Sequence, residues 1–123
     1  MKKILLIVMT FVLTISLHAQ KKNKNAKVTI EVDGVCMMCK KRIETAALKT
    51  KGVKFATWDV KTHQLLMIID ERKTDVTSIQ KNIALVGHDT RAVKATDAAY
   101  DSVHPCCKYR EADEVKDHGG QDD

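Results

Sequence analysis

The feature that most constrains this chain is the placement of three glycines at points where the hydrophobic period changes. Val28-Thr-Ile-Glu-Val-Asp33 alternates apolar and polar residues, the two-residue period of a half-buried strand, and Gly34 ends it. From Met38 to Lys51 there is no Gly or Pro, and Cys39, Ile43, Ala46 and Ala47 recur at helical spacing. Gly52 follows Lys49 and Lys51 as a helix stop. Val53 to Val60 then predicts a second strand, Lys61-Thr62-His63-Gln64 a polar hairpin loop, and the apolar run Leu65 to Ile69 a well-buried third strand. Thr74 or Asp75 caps a second helix with apolar positions Val76, Ile79, Ile83 and Val86. Gly87 stops that helix, and Arg91 to Ala95 reads as a short fourth strand. The order β-α-β-β-α-β is that of a ferredoxin-like α+β sandwich, an antiparallel sheet with two helices on one face. A chain of 123 residues has room for one such domain and little else.

The flanks divide accordingly. Lys2 and Lys3, the mainly apolar run Ile4–Leu17 and the small-residue site Leu17-His18-Ala19 follow the grammar of a secretory signal peptide over 1–19. The run is too short for a permanent membrane span, which needs about 20 apolar residues. The reading therefore places the mature chain across the inner membrane, in the periplasm, with no stable membrane insertion. Residues 20–27 read as a flexible basic linker, 28–95 as the domain, and 96–123 as a C-terminal extension with an HPCC motif and a disordered acidic end. Within the extension, Asp97 to Val103 predicts one or two helical turns that stop before Pro105. The net charge of +5 comes from the signal and linker; from Val28 onward 15 basic residues face 16 acidic ones. A nucleic-acid binder needs a basic face, and Phe55, Trp58, Tyr100 and Tyr109 are too scattered to stack bases. Trp58 reads as a core or sheet-face residue, and His63 in the hairpin is given no role.

The chemistry concentrates in Gly34-Val35-Cys36-Met37-Met38-Cys39-Lys40-Lys41-Arg42. Two cysteines separated by two residues converge on one ion, and Cys39 falls in a first helical turn, where free N–H groups and the dipole favour thiolate. Two soft sulfurs on an open loop suit Cu(I), whereas a closed structural zinc site takes four ligands. Cu(I) is the first expectation, with Hg(II), Zn(II) and Cd(II) as alternatives. Met37 and Met38 either ligate as thioethers or, the favoured reading, point to solvent or fill a pocket. Lys40, Lys41 and Arg42 are either a solvated face or a charge that offsets a bis-thiolate site and draws an acidic partner.

Residues 28–95 resemble the heavy-metal-associated domain of copper chaperones, metal-pumping P-type ATPases and periplasmic mercury-binding proteins. The resemblance rests on Val32-x-Gly34-x-Cys36-x-x-Cys39, Ile43-Glu44, Gly52-Val53 and Gly87-His88. It implies metal binding at Cys36 and Cys39. No acid–base pair, nucleophile triad or phosphate loop supports enzymatic turnover, and the expected partner is a metal donor or acceptor such as a metal-transporting ATPase or membrane transporter, with the chain itself a monomer. One departure stands out. Family loops place Met-Thr between the Gly and the first Cys, where this chain has Val35 alone; the Met that packs under the site is lost, and Met37 or Met38 is available to substitute for it. His88 stands where many bacterial relatives carry an aromatic residue, beside the metal loop, and either supplies a third ligand or a proton or is a surface residue without a role.

The tail motif His104-Pro105-Cys106-Cys107 lies outside that resemblance. Its thiols are additional ligands together with His104, or disulfide partners, or a structural anchor. Strand three is apolar on both faces, Leu65, Met67 and Ile69 against Leu66 and Ile68, so the face without helices needs a cover. Tyr100, Val103 and Tyr109 predict that the tail supplies it, and convergence of the tail thiols on the Cys36 loop is the secondary expectation. The function expected is an exported binding module that carries, buffers or detoxifies a thiophilic ion by thiolate exchange. The alternatives are a thiol-disulfide redox protein and a structural zinc module built on both cysteine pairs.

Overall fold

The computed structural model describes residues 1–7 and 21–111. Most of the signal-peptide reading, including its cleavage site, and the acidic end from residue 112 lie outside the described residues. Among the described residues no helix is long and apolar enough to cross a membrane. The elements run β1 (Ala26–Glu31), α1 (Met37–Lys49), β2 (Val53–Trp58), β3 (Gln64–Ile69), α2 (Val76–Leu85), α3 (Asp97–Asp101) and a single 3₁₀ turn, Pro105–Cys107. β1 takes in Ala26 and Lys27, two residues of the stretch read as linker. Farther back, that stretch is tied down where the Glu71 N–H donates to the Asn23 carbonyl and the Asn23 N–H to the Glu71 carboxylate.

Local chemistry sets the boundaries. Cys36 caps α1, its sulfur accepting the Cys39 N–H, and Thr50 closes the helix with its hydroxyl on the Ala46 carbonyl. Of the two candidate caps for α2, Asp75 is the one used; its carboxylate accepts the Ser78 N–H at 2.7 Å. Gly52 and Gly87 both hold positive φ, 97° and 98°, the left-handed turn that ends a helix with least strain when no Cβ is present.

The sheet is antiparallel in the order β1-β3-β2, with Val28 opposite Met67 and Ala56 opposite the same residue. Leu65, Met67, Ile69 and Trp58 pack with Ile43, Ala46, Ala47, Ile79 and Ile83 into one core. This is the ferredoxin-like sandwich, but the fourth strand is absent. Only Thr90 pairs, as an isolated bridge to Val32. Beyond it the chain curls on itself: Thr90 N–H bonds the Val93 carbonyl at 2.8 Å, and the Asp89 carboxylate takes the Ala95 N–H at 2.7 Å. Those local bonds consume donors and acceptors that a strand over Arg91–Ala95 would have offered to the sheet.

The tail does dock, but not where the sheet's apolar second face predicted. Leu66 and Ile68 stay half-buried and Phe55 is 48% exposed on that face. Tyr100, Val103, Cys107 and Tyr109 are buried instead at the corner formed by 87–89 and the start of α1. Gly87 makes this possible. A Cβ there would sit 2.5 Å from Val103 Cγ1 and 2.6 Å from the Ala99 carbonyl oxygen, so α3 lies directly on a bare backbone. Arg110 completes the attachment with a two-pronged bond to Asp89, 2.8 and 3.1 Å, and a third to the Ala95 carbonyl.

Candidate metal centre

The loop that carries the cysteines is fixed from below. The Trp58 indole N–H donates to the Val32 carbonyl at 3.0 Å, and the His88 Nδ1–H donates to the Asp33 carbonyl at 2.8 Å. The Val32 and Asp33 amides donate in turn to the His63 and Asp89 carbonyls. Gly34 then passes over the Trp58 ring so closely that an added Cβ would meet Trp58 at 3.0 Å and the Cys39 Cβ at 3.1 Å. Trp58 therefore lies under the site, where the sequence offers Met37 or Met38 as the available substitutes. Those two methionines are 64% and 47% exposed, as the favoured reading had them. His63 is not idle: it stacks on the outer side of the Trp58 ring at 5.6 Å.

From this support the chain turns into α1, and the two thiols come together. Cys36 Sγ lies 3.2 Å from Cys39 Sγ, with Cys39 fully buried and Cys36 half-buried. The tail brings two more sulfurs to the same point: Cys107 Sγ at 3.0 Å from Cys36 Sγ and Cys106 Sγ at 3.6 Å. Cys106 and Cys107 sulfurs are 3.8 Å apart, and all four cysteines are free thiols. Cys36, Cys106 and Cys107 sulfurs lie within 4.8 Å of one another, with geometry able to hold a metal ion.

Cys36 is the electrostatic centre of the group. Burial pushes its thiol up, but hydrogen bonds from Cys107, from the Cys39 thiol and amide, and from Cys106 outweigh burial and bring it down to about 7. Cys107 moves the other way: burial first, then the neighbouring Cys39, Cys36 and Cys106 sulfurs, push it well up. Cys106 is raised by burial and then by Cys36. In the metal-free protein Cys36 is thus far readier to ionise than the tail thiols Cys106 and Cys107, and an arriving cation displaces the protons that the sulfurs it binds still carry.

The two histidines suggested as ligands do other work. His88 is fully buried, not a surface residue; it stacks on Tyr109 at 5.4 Å, and its Nε2 has no hydrogen-bond partner. Burial holds its pKa below the usual value, so the ring that fixes the Asp33 carbonyl is neutral. His104 is exposed and caps the 3₁₀ turn, its Nδ1 accepting the Cys106 N–H at 3.4 Å. Neither belongs to the sulfur group. Lys40 is engaged inside the domain, bonding the Trp58 carbonyl at 2.7 Å and the Glu44 carboxylate, while Lys41 stays exposed beside the site.

Two residues escaped the sequence reading: Asp89 and Arg110, whose ion pair holds the tail at the site. Neither sits in a periodic pattern or a motif. They are 21 residues apart, and their pairing follows only from the tail's path.

Comparison with known proteins gives a consistent picture. Residues 29–89 match the model of the heavy-metal-associated domain. A comparison with curated proteins finds no significant match. Among solved structures the chain is similar to the CopZ metallochaperone, 26% identical, TM-score 0.51, over 53% of this chain and 98% of that one. It is also similar to the water-soluble region of the P-type ATPase CopA from Bacillus subtilis, 25% identical, TM-score 0.51, over 58% of this chain and 47% of that one. The copper-binding domain of another P-type ATPase, 21% identical, TM-score 0.51, over 53% of this chain and 89% of that one, shares the fold. The matched family segment stops at residue 89, before the tail that carries Cys106 and Cys107.

Proposed function

Residues 29–89 belong to the heavy-metal-associated domain family, and on that premise we propose that this chain binds one thiophilic metal ion through Cys36 and Cys39 and passes it on by ligand exchange. The observation that carries the reading is the pair itself: a cap thiol brought down to about 7, 3.2 Å from a second sulfur at the start of a helix. Soft sulfur donors select Cu(I) and its thiophilic neighbours Hg(II), Zn(II) and Cd(II), with Cu(I) the first candidate for a site entered through two thiolates. The ion is cargo. A thiolate of the partner bonds to it, one of the chain's own thiolates lets go, and the proton balance is settled with solvent.

The fitting partner is a metal donor or acceptor with thiolates of its own, such as the soluble domain of a metal-transporting ATPase, meeting a monomer at the exposed Met37, Met38 and Lys41 side of the loop. The N-terminal pattern of residues 1–19 supports a periplasmic location, which N-terminal sequencing of the natively expressed protein tests. The metal reading is tested with Cys36→Ser/Cys39→Ser. The reduced wild-type chain loads one Cu(I) that survives desalting; the double variant, with an unchanged far-UV spectrum, loses most of it on desalting. Full loading of the variant would end the proposal.

A further inference from the structure

We infer that Cys106 and Cys107 bind the same ion as Cys36 and Cys39, so that the tail converts an open two-thiolate loop into an enclosed site of four thiolates for a d¹⁰ metal ion. The inference rests on the metal reading above and extends it to residues outside the family segment. Three observations carry it. First, Cys36 Sγ contacts every other sulfur, at 3.0, 3.2 and 3.6 Å, so an ion bound to Cys36 is within reach of the tail pair. Second, the spacing suits one small ion. With metal–sulfur bonds of about 2.3 Å, the sulfurs of a tetrahedral site lie about 3.8 Å apart. The Cys106–Cys107 and Cys36–Cys106 separations, 3.8 and 3.6 Å, already stand there. The two shorter ones reach it by opening less than about 1 Å, and Cys39, more than 4.8 Å from at least one tail sulfur, must swing toward the pair to close the set. Third, the tail is held in place by bonds that owe nothing to the sulfurs. The Tyr109 hydroxyl donates to the Gly87 carbonyl at 2.8 Å and accepts the Asp89 N–H at 2.9 Å, and Arg110 pairs with Asp89. The tail thiols are therefore preorganised, not recruited by the ion.

Burial grades the four sulfurs. Cys106 is exposed, with its S–H on the Met38 thioether at 3.4 Å, whereas Cys39 and Cys107 are fully buried. Cys106 with Met38 is the face a partner's thiolate can reach, and the ion travels inward through Cys36 to the buried pair. Each thiol that joins the ion gives its proton to solvent. A chain built this way keeps its ion longer than a two-thiolate carrier does.

The experiment uses the full mature chain, reduced and without oxygen, with Cd(II) as the probe. One equivalent of Cd(II) is added, free thiols are alkylated, and the chain is cut after lysine. Cleavage after Lys27 and Lys40 isolates Cys36 with Cys39, and cleavage after Lys94 and Lys108 isolates Cys106 with Cys107. Relative to the metal-free protein, one equivalent should protect both peptides from alkylation. Protection of the first peptide alone, or of the second only after another equivalent, overturns the shared site and leaves the Cys36–Cys39 reading standing. Protection of the tail peptide alone overturns both. Chelator extraction of Cd(II) should be at least tenfold faster from Cys106→Ser/Cys107→Ala than from wild type, and faster also from Cys106→Ser, whose exposed site leaves packing intact. Equal release rates overturn the inference.

Discussion

Replacing Tyr109 by Phe removes one oxygen atom and tests how the tail is held. The ring is 2% exposed, lies against His88 at 5.4 Å and meets Tyr100 edge-on at 5.2 Å, and Phe keeps those contacts. What is lost is the hydroxyl that serves the Asp89 N–H and the Gly87 carbonyl, both in buried residues. Each stranded backbone group costs about 1–3 kcal/mol, and release of the buried hydroxyl offsets part of it, leaving roughly 2–4 kcal/mol in all. The assay is urea unfolding of the metal-free, reduced chain, since a bound ion would add its own stabilisation. With a slope of about 1–3 kcal/mol/M, the midpoint should fall by about 1 M or more while the slope is unchanged. The same variant, loaded with Cd(II), should release the ion faster because Cys107 is two residues from the lost anchor. An unchanged midpoint would refute the argument that these two bonds hold the tail to the corner.

The corner glycine makes a harsher test. Gly87→Ala combines a left-handed φ, about 1–2 kcal/mol for a residue with a Cβ, with overpacking of about 1–3 kcal/mol against Val103 and the Ala99 carbonyl. Unfolding should show a loss of about 3 kcal/mol, and limited proteolysis should cut the tail first. Acid should loosen the same attachment. Burial alone would push the Asp89 carboxyl up, but the bonds from Arg110 and the Ala95 amide outweigh it and hold its pKa below the usual range. Its contribution is therefore complete above the unfolded carboxylate value near about 3.9 and fades as pH falls through the lower folded value. A pH series of tail hydrogen exchange should stay flat above about pH 5 and rise below about pH 4, and Asp89→Asn should abolish that dependence. Finally, Gly34→Ala places a Cβ 3.0 Å from Trp58 and 3.1 Å from the Cys39 Cβ, so Trp58 fluorescence should shift and metal affinity fall together.

What the sequence made legible was everything written in local pattern. The strand-helix-strand order, the caps at the glycines and the Cys36–Cys39 pair all follow from spacing within a dozen residues, and the structure holds each of them. The fourth strand failed because Val93 and Ala95 alternate like a strand while Asp89, six residues before Ala95, captures its amide with a side chain. The tail was half legible. Tyr100, Val103 and Tyr109 announced that something would be buried, and all three are. Their destination depended on the missing Cβ of Gly87 and on a pairing of Asp89 with Arg110, long-range geometry that no local period records. The same blindness made His88 look like a surface residue. Its burial is produced by the tail ring stacked on it.

The Cys36 sulfur begins a helix as well as facing an ion, and this joins metal binding to the first turn of α1. Among the described residues, its acceptance of the Cys39 amide proton is the only side-chain cap at the N-terminus of α1. When a partner draws the cargo toward itself, one of the sulfurs that lets go is also the one anchoring the first helical turn. In the metal-free chain that bond stands at 3.4 Å, so the first turn keeps its cap after the cargo has left. The Cys39 amide is thereby a resident reporter of cargo: its chemical shift should move on loading, because its acceptor sulfur then shares its charge with the ion. A transporter touching this end of the helix meets the same capped turn before delivery and after it, which leaves the empty carrier ready to load again.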